Sequence, residues 1–431
     1  MGCTKDVEDP RYPHSSRVVL VYMAGDNSLG GYVRDNLDAM RQGMASAPAG
    51  NRTIAYVDTP DGNPRLLEVT SSGTQILYTW PSAHNSASAA TVREVIDRMR
   101  TLAPADRYGL VLWSHGLAWM PSWATGYLTR SKARMAEPWP QTKHEEIFPA
   151  SFASAARPDS APVSVTATGS APTDRPFQAF PVPTSWPATK WFGQDTGENP
   201  AGYLDVEQLS EAIPSGVFDW ILFDACFMAS AETLYALRDK AERIVCSPAE
   251  VIADGFPYAE IMAELLRPEP DLRAVCETYY RNYADDPRPA YRSATVSLVE
   301  TSQLEALAAA MASVLGAALT TDPEVLSVMD LNRVQPLDRY RRHFLFDMGS
   351  VVRELETRGL VPASLAGAWR AQLARTVIYE AHTPTMLGLA LDACCGLSMY
   401  VPVASYADLN EYYRTLGWYA GCYPADYNIA Q

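Results

Sequence analysis

Short apolar runs alternate with amphipathic stretches along roughly the first 300 residues of the chain. Residues 17–23 are apolar and rich in β-branched side chains, which favours a strand. Residues 29–44 repeat apolar positions at spacings of three and four, which predicts a helix with one buried face. The same criteria predict strands at 53–57, 66–70, 76–80, 108–113, 220–223, 244–246 and 294–299, and helices at 89–102, 204–213, 229–240, 258–266 and 272–283. Strands that alternate with helices predict an α/β fold with a doubly wound, mostly parallel sheet and a hairpin at 66–80.

The pattern changes after residue 300. An apolar stripe from Leu304 to Leu319 predicts a core helix, and Ser302 with Glu305 predicts a capping box at its start. Helices at 344–358, 363–379 and 406–419 and a strand at 396–401 complete the prediction. We therefore expect a polar tether at 1–16, a main domain at 17–300 with a long insertion at 118–199, and a mainly helical subdomain at 301–431 that returns strand to the sheet.

Two predicted strands are each followed by a residue that can take part in catalysis. Residues 108–113 and 220–223 are apolar without alternation, which is typical of parallel strands covered on both faces. His115 follows the first and Cys226 follows the second. Ligands of open α/β sheets bind beyond the carboxyl ends of the strands, so we expect a thiol and an imidazole at one edge. That is the arrangement of a Cys/His nucleophilic dyad, and a helix opening at Cys226 would favour the thiolate. A structural thiol and a core histidine are the alternatives.

The residues around these strand ends resemble the clostripain family of cysteine peptidases, which shares a caspase-like fold with caspases, gingipains and legumains. The resemblance covers roughly residues 17 to 300. Four motifs carry it in order: the opening strand with Ala24 to Asn27, His115-Gly116, Asp224-Ala225-Cys226, and Ser247 to Glu250 leading to Gly255 to Tyr258. The resemblance implies a caspase-like α/β/α sandwich, a Cys226/His115 dyad and an acyl-enzyme thioester.

The resemblance also implies roles for neighbouring residues. The backbone N–H groups of Gly116 and Cys226 would form the oxyanion site, although Gly116 is equally compatible with a simple turn. Asp224 stands two residues before Cys226, so alternation predicts that both side chains point to one face. In the family the matching aspartate is associated with cleavage after basic residues, where a bidentate contact to Arg is strong. Capping of the following helix is the alternative for Asp224.

Other acidic residues give weaker signals. Asp26, Glu250 and Asp254 are predicted to shape the substrate cleft, and a loop-structural role is equally compatible. Glu232 and Asp239 are predicted to lie on a solvated helix face. The six histidines are dispersed and no CxxC or HExxH motif occurs, so no metal ligands are predicted. No cofactor is required by a dyad; calcium remains open through family resemblance and acidic loops such as 58–61, but no site is placed.

The predicted insertion at 118–199 begins within three residues of His115 and is rich in Pro, Ser, Ala and Thr. A structureless stretch of this length is uncommon within a compact domain and is usually functional or disordered. Its basic residues are Arg130, Lys132, Arg134, Lys143 and Arg157. An enzyme that cleaves after Arg or Lys would meet these bonds at high effective concentration, so we expect control of access and self-processing there. A folded insertion packed on the sheet is the alternative.

The overall charge narrows the choice of partners. The chain of 431 residues carries 35 basic and 50 acidic side chains, a formal net charge of −15. This balance disfavours nucleic acids and anionic membranes and suits peptide substrates with basic residues. No apolar run approaches the ~20 residues of a transmembrane segment. Gly2-Cys3 matches the end of a bacterial lipoprotein signal, so a lipid anchor at Cys3 and an extracytoplasmic location, on the cell surface, in the periplasm or secreted, are predicted; an incidental cysteine is the alternative.

Two functions of different classes follow from the sequence. The first is a cysteine endopeptidase that cleaves after Arg or Lys. The second is a catalytically silent caspase-like surface lipoprotein that acts as a binding or scaffold protein, because fold alone does not determine activity. The intact pair of His115 and Cys226 favours the peptidase.

Overall fold

A computed structural model describes residues 12–81, 85–124, 204–340, 343–425 and 427. Cys3, most of the predicted tether and insertion, and the five basic residues of the insertion lie outside the described residues.

The described chain is built on a nine-stranded sheet of order β10-β8-β7-β6-β5-β1-β2-β3-β4. The five strands at its centre, β7, β6, β5, β1 and β2, run parallel, and the strands on both flanks are antiparallel. The strands are β1 (Ser15–Ala24), β2 (Arg52–Asp58), β3 (Arg65–Thr70), β4 (Gly73–Thr79), β5 (Ala105–Trp113), β6 (Phe218–Asp224), β7 (Ala241–Cys246), β8 (Thr295–Glu300), β9 (Phe346–Asp347), β10 (Val377–His382), β11 (Thr385–Met386), β12 (Leu389–Ala390) and β13 (Ser398–Met399). The predicted mostly parallel α/β sheet and its hairpin are confirmed.

Helices cover both faces of the sheet. The helices are α1 (Gly30–Gly43), α2 (Ala89–Leu102), α3 (Val206–Ala212), α4 (Ala231–Ala236), α5 (Tyr258–Leu265), α6 (Leu272–Ala284), α7 (Leu304–Thr321), α8 (Met348–Thr357), α9 (Ala363–Thr376), α10 (Ala407–Tyr413) and α11 (Gly417–Cys422). Helices α1, α5 and α6 share one apolar core with one face, and most of the others share a second core with the opposite face. Strand alternation explains the division, because Ile221 and Phe223 enter one core while Trp220 and Leu222 enter the other.

The carboxyl-terminal part differs from the prediction at three elements. The helix predicted over 363–379 ends at Thr376, and Val377–His382 forms β10, which pairs with β8 at the sheet edge. Val377, Ile378 and Tyr379 are β-branched or aromatic and pack well in a strand, a preference that helical spacing alone hides. The predicted strand at 396–401 is reduced to Ser398–Met399, which pairs with β9 outside the main sheet. The predicted helix at 406–419 is two short helices, α10 and α11.

Helix α7 is long and strongly apolar. Its apolar stripe is buried against α9 and α11, so the predicted core role is confirmed. Together with the turn before it, the helix over Thr301–Thr321 is long and apolar enough to cross a membrane by composition, but its packing is that of a core helix. The predicted capping box is wrong, because Ser302 donates to Glu300 and Glu305 accepts hydrogen bonds from Tyr235 and Arg238.

Candidate active site

The register between β5 and β6 brings His115 and Cys226 to the same edge. These strands are parallel neighbours, and Trp113 pairs with Asp224 at their carboxyl ends. His115 and Cys226 each stand two residues beyond this pair. Both residues are buried, His115 at 4% and Cys226 at 0% exposure. The fold therefore brings the two predicted dyad residues, 111 positions apart in sequence (226 − 115), to the same ends of adjacent strands.

Gly116 is required by the contact between these two strand ends. A Cβ atom at residue 116 would lie 2.0 Å from the carbonyl oxygen of Cys226 and 2.9 Å from its backbone nitrogen. Both distances are far below normal van der Waals contact, so only glycine fits here without movement of the Cys226 backbone. The role of the Gly116 N–H as an oxyanion donor stays a prediction, but its backbone lies against that of the nucleophile candidate.

Cys226 sits in a turn held by the backbone of a second segment. The Val251 N–H donates to Sγ of Cys226 at 3.1 Å, and the thiol lies 3.6 Å from the Val251 carbonyl oxygen. Phe227 follows with a φ of 63°, an uncommon left-handed conformation for a bulky residue, and its N–H donates to Ala249. The prediction that Cys226 opens a helix is wrong. Helix α4 begins at Ala231 with Ser230 as its cap, and helix-end electrostatics fade within one turn.

His115 contacts a residue that the sequence analysis missed. Oγ of Ser28, in the loop after β1, lies 2.9 Å from Nε2 of His115. The adjacent Ser114 donates to the carbonyl oxygen of Ala24 at 2.8 Å, so the histidine segment is tied to the same loop. Ser28 directly follows the motif Ala24 to Asn27, and a single serine in a loop gives no signal by itself.

Asp224 is fully buried at the end of β6. Its Oδ2 accepts hydrogen bonds from the Tyr258 hydroxyl at 2.9 Å and from the Phe256 N–H at 3.4 Å. Burial, with the nearby Asp224 charge, raises the pKa of Tyr258 well above its usual value. The alternative that Asp224 caps the next helix is excluded, because Ser230 caps α4.

The prediction that Asp224 and Cys226 share a face is wrong. Asp224 contacts Tyr258, whose ring lies in the core of α1, α5 and α6, whereas Cys226 packs in the opposite core. Strand β6 ends at Asp224 and the chain then turns, so alternation does not extend to the thiol. The two side chains instead contact different parts of one segment, residues 251–258.

The other predicted cleft residues have different surroundings. Asp26 is half-buried in the loop that carries Ser28, and Asp254 is exposed. Glu250 forms a buried, bidentate ion pair with Arg339; Nη2 of Arg339 lies 2.9 Å from Oε1, and its Nε contacts Oε2. Glu250 thus links the Val251 segment to the carboxyl-terminal part of the chain. Substrate binding by all three remains a prediction.

Glu232 is not on a solvated face, as the sequence analysis expected. It is buried on α4, and its Oε1 accepts from the Tyr400 N–H at 2.8 Å and from the Tyr413 hydroxyl at 3.2 Å. Burial raises the pKa of Glu232 from 4.5 to about 7. Asp239 is exposed as predicted, but it lies in the turn after α4 and not on the helix. Sequence periodicity missed this because the carboxyl-terminal segment covers α4.

A buried thiol and an imidazole at the carboxyl ends of adjacent parallel strands, within a three-layer sandwich, define the caspase-like class of cysteine peptidases. A sequence profile of the clostripain family matches residues 21–133 and 182–414, well over half of the chain. The chain therefore belongs to the clostripain family and is a cysteine-type endopeptidase. A search of curated proteins found no match.

Solved structures agree with this assignment. An inactive zymogen of a C11 protease from Parabacteroides distasonis is 27% identical, with a TM-score of 0.71 over 95% of this chain and 99% of that one. A secreted C11 cysteine protease from Bacteroides thetaiotaomicron, in complex with an irreversible peptide inhibitor, is 24% identical, with a TM-score of 0.69 over 95% and 99% of the two chains. Another structure of a secreted C11 cysteine protease from that organism is 20% identical, with a TM-score of 0.68 over 95% and 100%. The latter two support the fold.

Proposed function

We propose that this peptidase cleaves after Arg or Lys, with Cys226 as nucleophile and His115 as general base and acid. The observation that carries the proposal is the equal offset of the two residues beyond the Trp113–Asp224 pair, with Gly116 against the Cys226 backbone. In the first step His115 accepts the thiol proton while sulfur attacks the scissile carbonyl. His115 then donates that proton to the leaving amine, and water hydrolyses the thioester. No cofactor enters these steps.

The preference for a basic residue rests on the surroundings of Asp224. The carboxylate is bordered by aromatic rings, with Tyr258 bonded to it and Phe256 stacked on Tyr279 at 4.2 Å between ring centres. The guanidinium group of Arg forms ion pairs with carboxylates and stacks on aromatic rings. The surroundings of Asp224 therefore suit an Arg side chain. Asp224 is buried, so this region must open before a substrate side chain can reach the carboxylate.

Burial of the thiol and of Asp224 suits a precursor whose cleft opens after cleavage. The similar protein from Parabacteroides distasonis is described as an inactive zymogen. We propose that this chain also matures by cutting its own 118–199 region. The similar Bacteroides protein is described as secreted, and we propose an extracytoplasmic location here, with Cys3 as lipid anchor.

Labelling with peptidyl acyloxymethyl ketones tests the function directly. We expect the reagent that carries Arg to modify the wild-type protein at Cys226 far faster than the matched reagent that carries Asp. The Cys226→Ala variant should not react, whereas Cys246→Ala, which removes another buried thiol on β7, should react like wild type. Equal rates for the Arg and Asp reagents would contradict the basic preference, and modification of Cys226→Ala would contradict the assignment of the nucleophile.

A further inference from the structure

Three side chains with different donor atoms meet at the edge of the sheet. Glu380 and His382 lie two residues apart on β10, so they share one face, and Oε1 of Glu380 is 2.5 Å from Nδ1 of His382. Cys394 reaches the pair from the segment after β12, and donor atoms of the three all lie within 4.8 Å of one another. In the described part of the chain, no other three His, Cys, Asp or Glu side chains converge in this way.

We propose that Glu380, His382 and Cys394 form a binding site for a divalent transition-metal ion, with zinc as the best match. Thiolate, imidazole and carboxylate are the donors that zinc takes in proteins, at about 2.0 to 2.3 Å. Donors around a tetrahedral zinc lie about 3.3 to 3.6 Å apart, so a shift of about 1 Å completes the site. All three side chains are half-buried and can make it. The thiol disfavours calcium, which binds oxygen ligands.

The charges around the cluster favour a bound cation. Asp347 stands close by, held by the N–H groups of Cys395 and Ser350. A divalent ion would balance the two carboxylates and stabilise the thiolate.

The position of this cluster gives the ion a structural role. His382 and Cys394 enclose the hairpin of β11 and β12, so a metal would close this loop at its base. Apolar side chains of the hairpin, Met386 and Leu389 among them, pack against Ala249. The carbonyl oxygen of Ala249 accepts the N–H of Phe227, the residue after the nucleophile. The ion would thus stabilise the hairpin that packs against Ala249, and through Ala249 the turn that contains Cys226.

The histidine count and spacing predicted no metal site, because these ligands match no sequence motif and come from two segments.

The full chain with Cys226→Ala is the background for the test. It lacks the nucleophile, so the result does not depend on peptidase activity or on self-cleavage. Titration with zinc measures affinity, and replacement by cobalt(II) gives a sulfur-to-metal charge-transfer band in the near ultraviolet only when a thiolate binds the ion.

Cys394→Ser is the test variant and Cys395→Ser its matched control, because the Cys395 sulfur is instead bonded to the Gly349 N–H at 3.2 Å. We expect one zinc per chain and a cobalt band in the background and the control. Cys394→Ser should lose the band and bind zinc at least about 10- to 100-fold more weakly, and His382→Gln should weaken binding similarly. Thermal melts without metal verify that each variant is folded. Absence of zinc binding in the folded background, or a band that survives Cys394→Ser, overturns the proposal.

Discussion

The hydroxyl of Ser28 lies 2.9 Å from Nε2 of His115 and joins the loop after β1 to the candidate base. A hydrogen bond to one imidazole nitrogen fixes the ring orientation and the tautomer, which decides how the other nitrogen serves the thiol. Ser28 is exposed, so its loss leaves the core intact.

We therefore expect Ser28→Ala to lower kcat/KM by roughly 2- to 12-fold, the equivalent of one net hydrogen bond of about 0.5 to 1.5 kcal/mol. The measurement is hydrolysis of an Arg reporter peptide across a range of pH. Ser28→Thr keeps the hydroxyl and should recover most of the activity. An Ala variant with wild-type rates and an unchanged pH profile would show that the contact does not orient His115.

Loss of either dyad residue should abolish hydrolysis of Arg-containing peptides. Cys226→Ala removes the sulfur that forms the thioester, and His115→Ala removes the proton acceptor. Circular dichroism should show both variants folded, because each change only truncates a side chain at the sheet edge. Cys246→Ala, with its thiol inside β7, is the control and should remain active. Hydrolysis by purified Cys226→Ala would falsify the nucleophile assignment.

Asp224→Asn should weaken cleavage after Arg and Lys. A buried guanidinium that loses its carboxylate partner forfeits on the order of 2 to 5 kcal/mol. Asparagine can still accept the Tyr258 hydrogen bond, so the fold should survive. Asp254→Asn tests the other acidic residue predicted in this segment, which is exposed. If Asp224→Asn cleaves Arg peptides normally and Asp254→Asn does not, the pocket carboxylate is Asp254.

Glu232 should make stability fall as pH rises. Its pKa is raised in the folded protein from 4.5 to about 7 by burial, so the native state binds more protons between these values. The contribution is fully present below about pH 4.5 and is lost as pH rises through about 7, an effect of about 3 kcal/mol.

Glu232→Gln tests this, because glutamine resembles the protonated carboxyl group. The difference in unfolding free energy between variant and wild type, measured by urea denaturation, should shift in favour of the variant from pH 5 to pH 8, roughly the window of this titration. A difference that stays constant over this range would contradict ionisation of Glu232 in the folded state.

Self-processing should occur in the 118–199 region. Wild type and Cys226→Ala are incubated side by side, and any new amino termini are sequenced. We expect cuts after Arg130, Lys132, Arg134 or Lys143 in wild type only, because the enzyme meets its own basic residues at high effective concentration. An intact wild-type chain that reacts at once with the Arg-directed ketone would show that the site is open without cleavage.

The sequence by itself determined the central strands and the residues that follow them. Runs such as 108–113 and 220–223 are local signals, and the carboxyl ends of parallel strands lie on one side of a sheet, so the sequence predicts that His115 and Cys226 share that side. Only the fold makes the two strands neighbours, through the pairing of β5 with β6. Helix α2 and the βα unit of β1 and α1 were also predicted from the sequence, because hydrophobic periodicity is a signal within a few neighbouring residues.

Tertiary structure decided everything that depends on contacts between distant segments. Ser28 meets His115 across 87 residues, and Glu250 meets Arg339 across 89. The segment with Tyr400 and Tyr413 buries Glu232, and edge pairing with β8 turns residues 377–382 into a strand. The burial of a residue depends on which distant segments pack against it, and local periodicity does not contain that information. The same reason hid the convergence of Cys394 on Glu380 and His382.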